Sequence, residues 1–187
     1  MDAGYQNVGD PYQYTSGGYH PVEIDDKLHH DRYRILHKLG YGSSATVWLA
    51  LNEHYGRADA PGLRYVALKI MVADAPSGPA EGAVLRHLGP PPQGWLDTFF
   101  WTRRSRHDDI SSREFMTTLL DEFDILGPNG MHHCIITEVV GLTLEALKNS
   151  EELMLDPLPL ELARKTTIQL VKGVTFLHSR GVVHGGL

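Results

Sequence analysis

Two hydrophobic periodicities divide the chain. Between residues 34 and 140, apolar side chains come in short runs bounded by Gly, Pro, Asn and Asp, the pattern of strands and turns. Arg34 to Leu39, Thr46 to Ala50 and Tyr65 to Met71 read as three strands. Gly40-Tyr41-Gly42-Ser43-Ser44-Ala45 is the turn between the first two, and residues 52–64, holding Gly56, Pro61 and Gly62, lead to the third. Leu119 to Leu126 and His132 to Val140 read as two more strands. They are joined by Gly127-Pro128-Asn129-Gly130, in which Asn-Gly is a strong hairpin signal. Past Gly141 the spacing becomes helical: Ala163, Thr167, Leu170, Val174 and Leu177 recur every three or four residues, with Ile168 and Val171 beside them. So wide an apolar face predicts a buried helix. Glu81 to Leu88 predicts a shorter one, with Val84 and Leu88 on one face. Gly82 weakens it by about 1 kcal/mol relative to Ala, and Gly89-Pro90-Pro91-Pro92 ends it.

The order strand, glycine turn, strand, strand, helix, hairpin, helices predicts an α+β fold, a five-stranded antiparallel sheet with one helix followed by a helical region. Residues 1–30, rich in Tyr, Gly, Pro and Asp without periodicity, read as an extended arm. Residues 31–141 carry the sheet and 142–187 the first helices of a second part. Trp95, Phe99, Phe100 and Trp101 cluster just before Arg103-Arg104-Ser105-Arg106; such a cluster is more often packing than a partner-binding patch.

Composition narrows the function classes. A net charge of −6 over 187 residues disfavours direct nucleic-acid binding through phosphate neutralisation. Cys134 is the only cysteine, so no intramolecular disulfide forms and the reading is intracellular, cytoplasmic or nuclear. The polar start of the chain argues against a signal peptide, and no apolar run approaches the roughly 18 residues that cross a bilayer.

Three motifs carry chemistry. Gly40-x-Gly42 lets the backbone approach a phosphate closely, because glycine has no Cβ. It leads into Thr46-Val47-Trp48-Leu49, a strand and not the helix of a dinucleotide fold, and it lacks the Gly-Lys-Ser/Thr of a Walker loop. Alone it is an ordinary hairpin turn. Lys69 ends Val66-Ala67-Leu68-Lys69, and an ammonium set in an apolar strand needs an anionic partner or a route to water. Glu81 is the candidate carboxylate. In this order and spacing, Leu39 to Val47, Val66 to Lys69 and Glu81 together resemble the amino-terminal lobe of eukaryotic protein kinases. Ala45 stands where the family loop has its third glycine.

That resemblance implies roles. The loop Gly40, Tyr41, Gly42, Ser43, Ser44, Ala45, Thr46 and Val47 would cover the ATP phosphates. Lys69 would hold the α- and β-phosphates, and Glu81 would orient it. Cys134 to Gly141 looks like the fifth strand and hinge, making Thr137 the gatekeeper and giving adenine the backbone groups of Glu138 and Val140. Leu39, Val47 and Ala67 would sandwich the ring. Gly17-Gly18-Tyr19-His20-Pro21-Val22, Tyr33 to Gly40, Val47-Trp48-Leu49-Ala50 and Leu120 to Gly130 look like serine/arginine-rich-protein kinases, particularly fungal ones. This implies phosphoryl transfer from ATP, with Mg, to Ser/Thr of Arg-Ser-rich proteins.

The pattern then departs. Phe176 to His184 matches the approach to the kinase catalytic loop, but the sequence continues His184-Gly185-Gly186-Leu187. Gly186 stands where the family has the aspartate that accepts the substrate proton, and the metal-binding asparagine and Asp-Phe-Gly do not follow. A positioned base contributes roughly 10² to 10⁴ in rate. No catalytic or metal-ligating residue is therefore assigned, His178 and His184 read as structural, and the expectation is an inactive, truncated kinase. A non-catalytic pseudokinase or scaffold and a gene-model fragment are the alternatives.

Overall fold

The structure, a computed structural model, describes residues 11–56, 63–74, 80–89, 112–141, 143–148 and 157–183. Contacts divide the chain into two units, residues 1–87 with 118–139 and residues 88–117 with 140–187. Pro61, Gly62, the Trp95 to Trp101 aromatics, Arg103 to Arg106 and His184 to Leu187 lie outside the described residues.

The first unit is built on six antiparallel strands: β1 (Lys27–Leu28), β2 (Tyr33–Gly42), β3 (Ala45–Asn52), β4 (Tyr65–Met71), β5 (Leu119–Gly127) and β6 (Gly130–Thr137). They lie in the order β1-β2-β3-β4-β6-β5. Five are the strands that the apolar pattern predicts. The sixth, β1, is two residues paired with Tyr33 and Arg34, too short to leave a periodic trace. β2 runs past Leu39 to Gly42, so the turn itself is only Ser43-Ser44. Gly40 and Gly42 lie within the strand, opposite Val47 and Ala45, next to a register slip after Lys38. A Cβ on either would meet nothing within 4 Å. The glycines keep this end of the hairpin open; they do not make its bend.

Directly paired residues of neighbouring strands point to the same face. One face is the core: Ile35, Trp48, Ala50, Val66, Leu68, Ile70, Cys134 and Ile136 are each at most 6% exposed. Each large aliphatic side chain there gains about 1.5–3 kcal/mol from burial. The arm expected to be extended packs instead. Its described residues include a 3₁₀ turn at Pro11–Gln13, and Tyr19 is 1% exposed.

The β1–β2 connection holds three consecutive left-handed residues, His29, His30 and Asp31, at φ 54°, 55° and 61°. Such backbone costs free energy for residues other than glycine. Asp121 on β5 offsets it: its Oδ2 accepts Arg32 Nη1–H and the Tyr33 hydroxyl, both at 2.8 Å. The His29 ring stacks on Phe123 at 4.2 Å between centroids.

A helix, α1 (Ala80–Leu88), follows β4. The second unit contains α2 (Leu144–Lys148), α3 (Leu160–Ser179) and a 3₁₀ turn at Ser112–Phe115. The Arg113 guanidinium donates to the carbonyls of Gly89 at 2.9 and 3.1 Å and of Met116 at 2.8 Å. Burial of α3 falls short of the sequence expectation. Only Gly173 is buried, against Phe115 and Met116, while Ile168, Leu170 and Val171 are 47, 53 and 58% exposed. Among the described residues, the short turn covers only part of the apolar arc of α3.

Candidate functional site

Lys69 lies in β4 between Val47 of β3 and Ile135 of β6. Its ammonium donates to Glu81 Oε2 of α1 at 2.5 Å. The two side chains are 30 and 43% exposed. An ion pair this open to water adds at most about 1 kcal/mol to stability. Its consequence is orientation, since it fixes a long, flexible side chain over the sheet. Val47, Ala67 and Thr137 share the Lys69 face by register, Ala67 pairing with Thr137 and Val47 with Lys69.

The position of Glu81 depends on a contact that the apolar pattern does not announce. Gly82, read as a defect in the helix, lets α1 approach β5 and β6: a Cβ there would lie 2.7 Å from Glu122 Oε2 and 3.4 Å from His133 Nε2. Arg86, one turn on, forms an ion pair with Glu122. His133 Nε2 is 3.5 Å from Glu122, and its Nδ1 is 2.7 Å from Asp124. Glu122, Asp124 and His133 sit on one face by register. The signal was present in the alternation of Glu122 and Asp124 and in the Gly82/Arg86 spacing, which puts the gap and the cation on one side of the helix.

Other residues of the candidate set are placed differently. Tyr41 and Thr46 are register partners across the hairpin, on the core face of the sheet, where Tyr41 stays 48% exposed. Thr46 is fully buried and its Oγ1 accepts the Trp48 indole N–H at 3.0 Å. The Tyr41 ring lies 5.4 Å from the Lys38 ammonium. On the Lys69 side these two residues offer backbone only. Ser43, Ser44 and Leu39 are exposed near the turn. Glu138 is 5% exposed, and both its carboxylate oxygens accept the Thr118 N–H, at 3.0 and 2.8 Å. The Thr137 hydroxyl donates to the Glu138 carbonyl at 3.2 Å. Val140 is 66% exposed. Among the described residues, no group of three or more His, Cys, Asp or Glu side chains is placed to hold a metal ion, and no helix is long and apolar enough to cross a membrane.

A solved kinase domain matches 86% of this chain and 39% of its own, with a TM-score of 0.60 at 16% identity. SRSF protein kinase 3 of Homo sapiens is 32% identical over 173 residues, and Protein kinase dsk1 of Schizosaccharomyces pombe 33% over 177. The sheet with α1 has the fold of a protein-kinase amino-terminal lobe, and the chain is a homologue of these kinases. The alignments cover 91 and 93% of this chain, which spans only about a quarter of each relative, 26 and 28%. No protein-family model matches the sequence. On this kinase lobe, Lys69, Glu81, Val47, Ala67 and Thr137 come together, while the Tyr41 and Thr46 side chains and the Glu138 carboxylate turn to other partners.

Proposed function

We propose that this kinase lobe binds ATP on the Lys69 face of its sheet. The observation that carries the reading is the 2.5 Å Lys69–Glu81 pair. It holds a cation beside the open Gly40 to Ala45 hairpin end and above Val47 and Ala67. A triphosphate fits this arrangement: the glycines leave its path clear, Lys69 supplies charge, and backbone N–H groups of the turn supply donors. Leu39, Val47 and Ala67 give an apolar seat for adenine, with the Glu138 backbone as its hydrogen-bonding edge. Residues 31–141 act as the nucleotide lobe. Mg would accompany ATP by family, but the described residues offer no ligand cluster for it, and no step is assigned to it.

By family the reaction is phosphoryl transfer to Ser/Thr of Arg-Ser-rich proteins in the cytoplasm or nucleus. With Gly186 at the position of the proton acceptor, this chain binds nucleotide without transferring phosphate. Glycine can neither accept the proton nor orient the hydroxyl.

Titration of the purified chain with ATP and with adenosine tests the reading. Lys69→Ala removes charge-assisted hydrogen bonds, each contributing about 1.5–3 kcal/mol, and should weaken ATP by roughly tenfold to a hundredfold while leaving adenosine unchanged. Equal ATP affinity in both proteins removes Lys69 from the phosphate site. Phosphate transfer to an Arg-Ser-rich peptide should not exceed the Lys69→Ala background. Transfer that depends on Lys69 overturns the assignment of inactivity.

A further inference from the structure

The arm grips the end of the glycine hairpin from the core side. The Tyr19 hydroxyl donates to the Gly42 carbonyl at 2.5 Å. Tyr14 joins it: its ring packs edge-on against Tyr19 at 5.3 Å, and its hydroxyl takes a hydrogen bond from the Lys38 ammonium at 3.2 Å. That ammonium also lies 5.4 Å from the Tyr41 ring in the hairpin.

The arm is itself fixed at two further places. Gly17 N–H donates to Asn129 O at 2.8 Å, and the Asn129 amide donates to Tyr19 O at 2.6 Å. Ala73 and Asp74 N–H donate to Gly18 O and Gly17 O at 3.1 and 2.9 Å. The neighbouring Val72 N–H donates to Ser44 O at 2.9 Å, so the same stretch ties arm and turn together. The seating leaves no slack. A Cβ on Gly17 would collide with the Asp74 carboxylate, one on Gly18 with the Gln13 carbonyl, and one on Gly127 with the His20 ring.

This arrangement has a directional consequence. In a trans peptide the carbonyl and the following N–H point in opposite directions. Tyr19 draws the Gly42 carbonyl toward the arm, so the Ser43 N–H of the same peptide is turned away from it. Gly40 and Gly42 leave that side open.

We infer that residues 13–20 are a strap presetting the hairpin for an anionic polyphosphate, with Tyr19 as a positioning residue that presents the Ser43 N–H to it. The inference rests on the nucleotide reading above, and it assigns part of the preorganisation to a segment outside the glycine turn. Free of the strap, the turn must order when ligand arrives, which lowers affinity for the group it contacts.

Tyr19→Phe in the full chain tests it, because the variant keeps the ring and deletes one donor. Without nucleotide, amide hydrogen exchange in residues 40–45 should quicken about tenfold while β6 is unchanged. ATP should bind roughly three- to tenfold more weakly, the effect of one hydrogen bond, and adenosine within twofold of wild type. Unchanged exchange in the turn overturns the strap, whatever the nucleotide data show. Faster exchange with ATP and adenosine weakened equally, or not at all, overturns the positioning role. Failure of the nucleotide reading is distinct: wild type then binds no ATP, although the turn still responds to Tyr19→Phe, and the role in binding falls with it. Should Tyr19→Phe not fold, Asn129→Ala removes the side-chain bond that holds the Tyr19 carbonyl and should give the same selective loss of ATP. Equal losses for ATP and adenosine there overturn the proposal.

Discussion

Removing Asp121 should cost more than its partly exposed position suggests. Its carboxylate receives the Tyr33 hydroxyl and Arg32 Nη1–H, both at 2.8 Å, and Oδ1 accepts the Glu122 N–H at 2.9 Å. Tyr33 is 1% exposed, so Asp121→Ala leaves its hydroxyl without acceptor or water. A stranded hydroxyl of this kind costs about 1–3 kcal/mol. The Arg32 side chain is 22% exposed and can turn toward solvent, which limits its share to roughly 1 kcal/mol. The sum, about 2–4 kcal/mol, corresponds to a fall in Tm on the order of 5–15 °C for a chain of 187 residues. Asp121→Asn keeps an acceptor and should lose about half as much. Thermal melts of four proteins separate the causes: wild type, Asp121→Ala, Tyr33→Phe and the double variant. If the stranded hydroxyl is responsible, adding Tyr33→Phe to Asp121→Ala should restore about 1 kcal/mol or more. If instead the two substitutions add as independent losses, the burial argument is refuted.

Acidification should destabilise the chain. His20 is held below its ordinary value by burial and by nearby His132, and His29 by burial against the opposing pull of Asp121. A base with a lowered pKa binds fewer protons folded than unfolded, so its contribution is intact above the unfolded value of about 6.5 and fades as pH falls below it. Replacing both, His20→Gln with His29→Asn, whose side chain tolerates a left-handed backbone, should flatten the dependence of Tm on pH between about 7.5 and 5.5; an unchanged slope discards the assignment. Cys134 is fully buried and its thiol is pushed up to about 12, chiefly by burial. Maleimide labelling at neutral pH should therefore proceed at the rate of unfolding events, and prompt labelling of native protein would contradict the structure.

Five of the six strands could be read from the sequence because they rest on local pattern, and the Lys69–Glu81 pairing from the spacing of the two residues in the kinase-like set. Val66-Ala67-Leu68-Lys69 is apolar and β-branched enough to fix a strand, and Glu81 opens the next helix. What was not legible depends on contacts between distant segments. Gly82 scores as a weak helix residue until Glu122 and His133 are found against it. Thr46 matches a loop motif, yet register turns it to the core beside Trp48. The arm carries no periodicity, and its order comes from Asn129, Ala73 and Asp74. The width of the α3 face announces burial, but the amount of partner surface is not written in the helix itself.

The placement of the arm also bears on the order of folding. The bond from Asn129 to Tyr19 joins residues 110 positions apart, and the bonds from Ala73 and Asp74 to Gly18 and Gly17 require the end of β4. Those receptors exist only once β4 and the β5–β6 hairpin have formed, which predicts that the arm docks after the rate-limiting step. Substitutions along residues 13–20 should therefore leave the refolding rate nearly unchanged and show their whole effect as faster unfolding. Residues 13–20 would be the last to settle and the first to leave, governing how long the native state lasts and not how quickly it is reached.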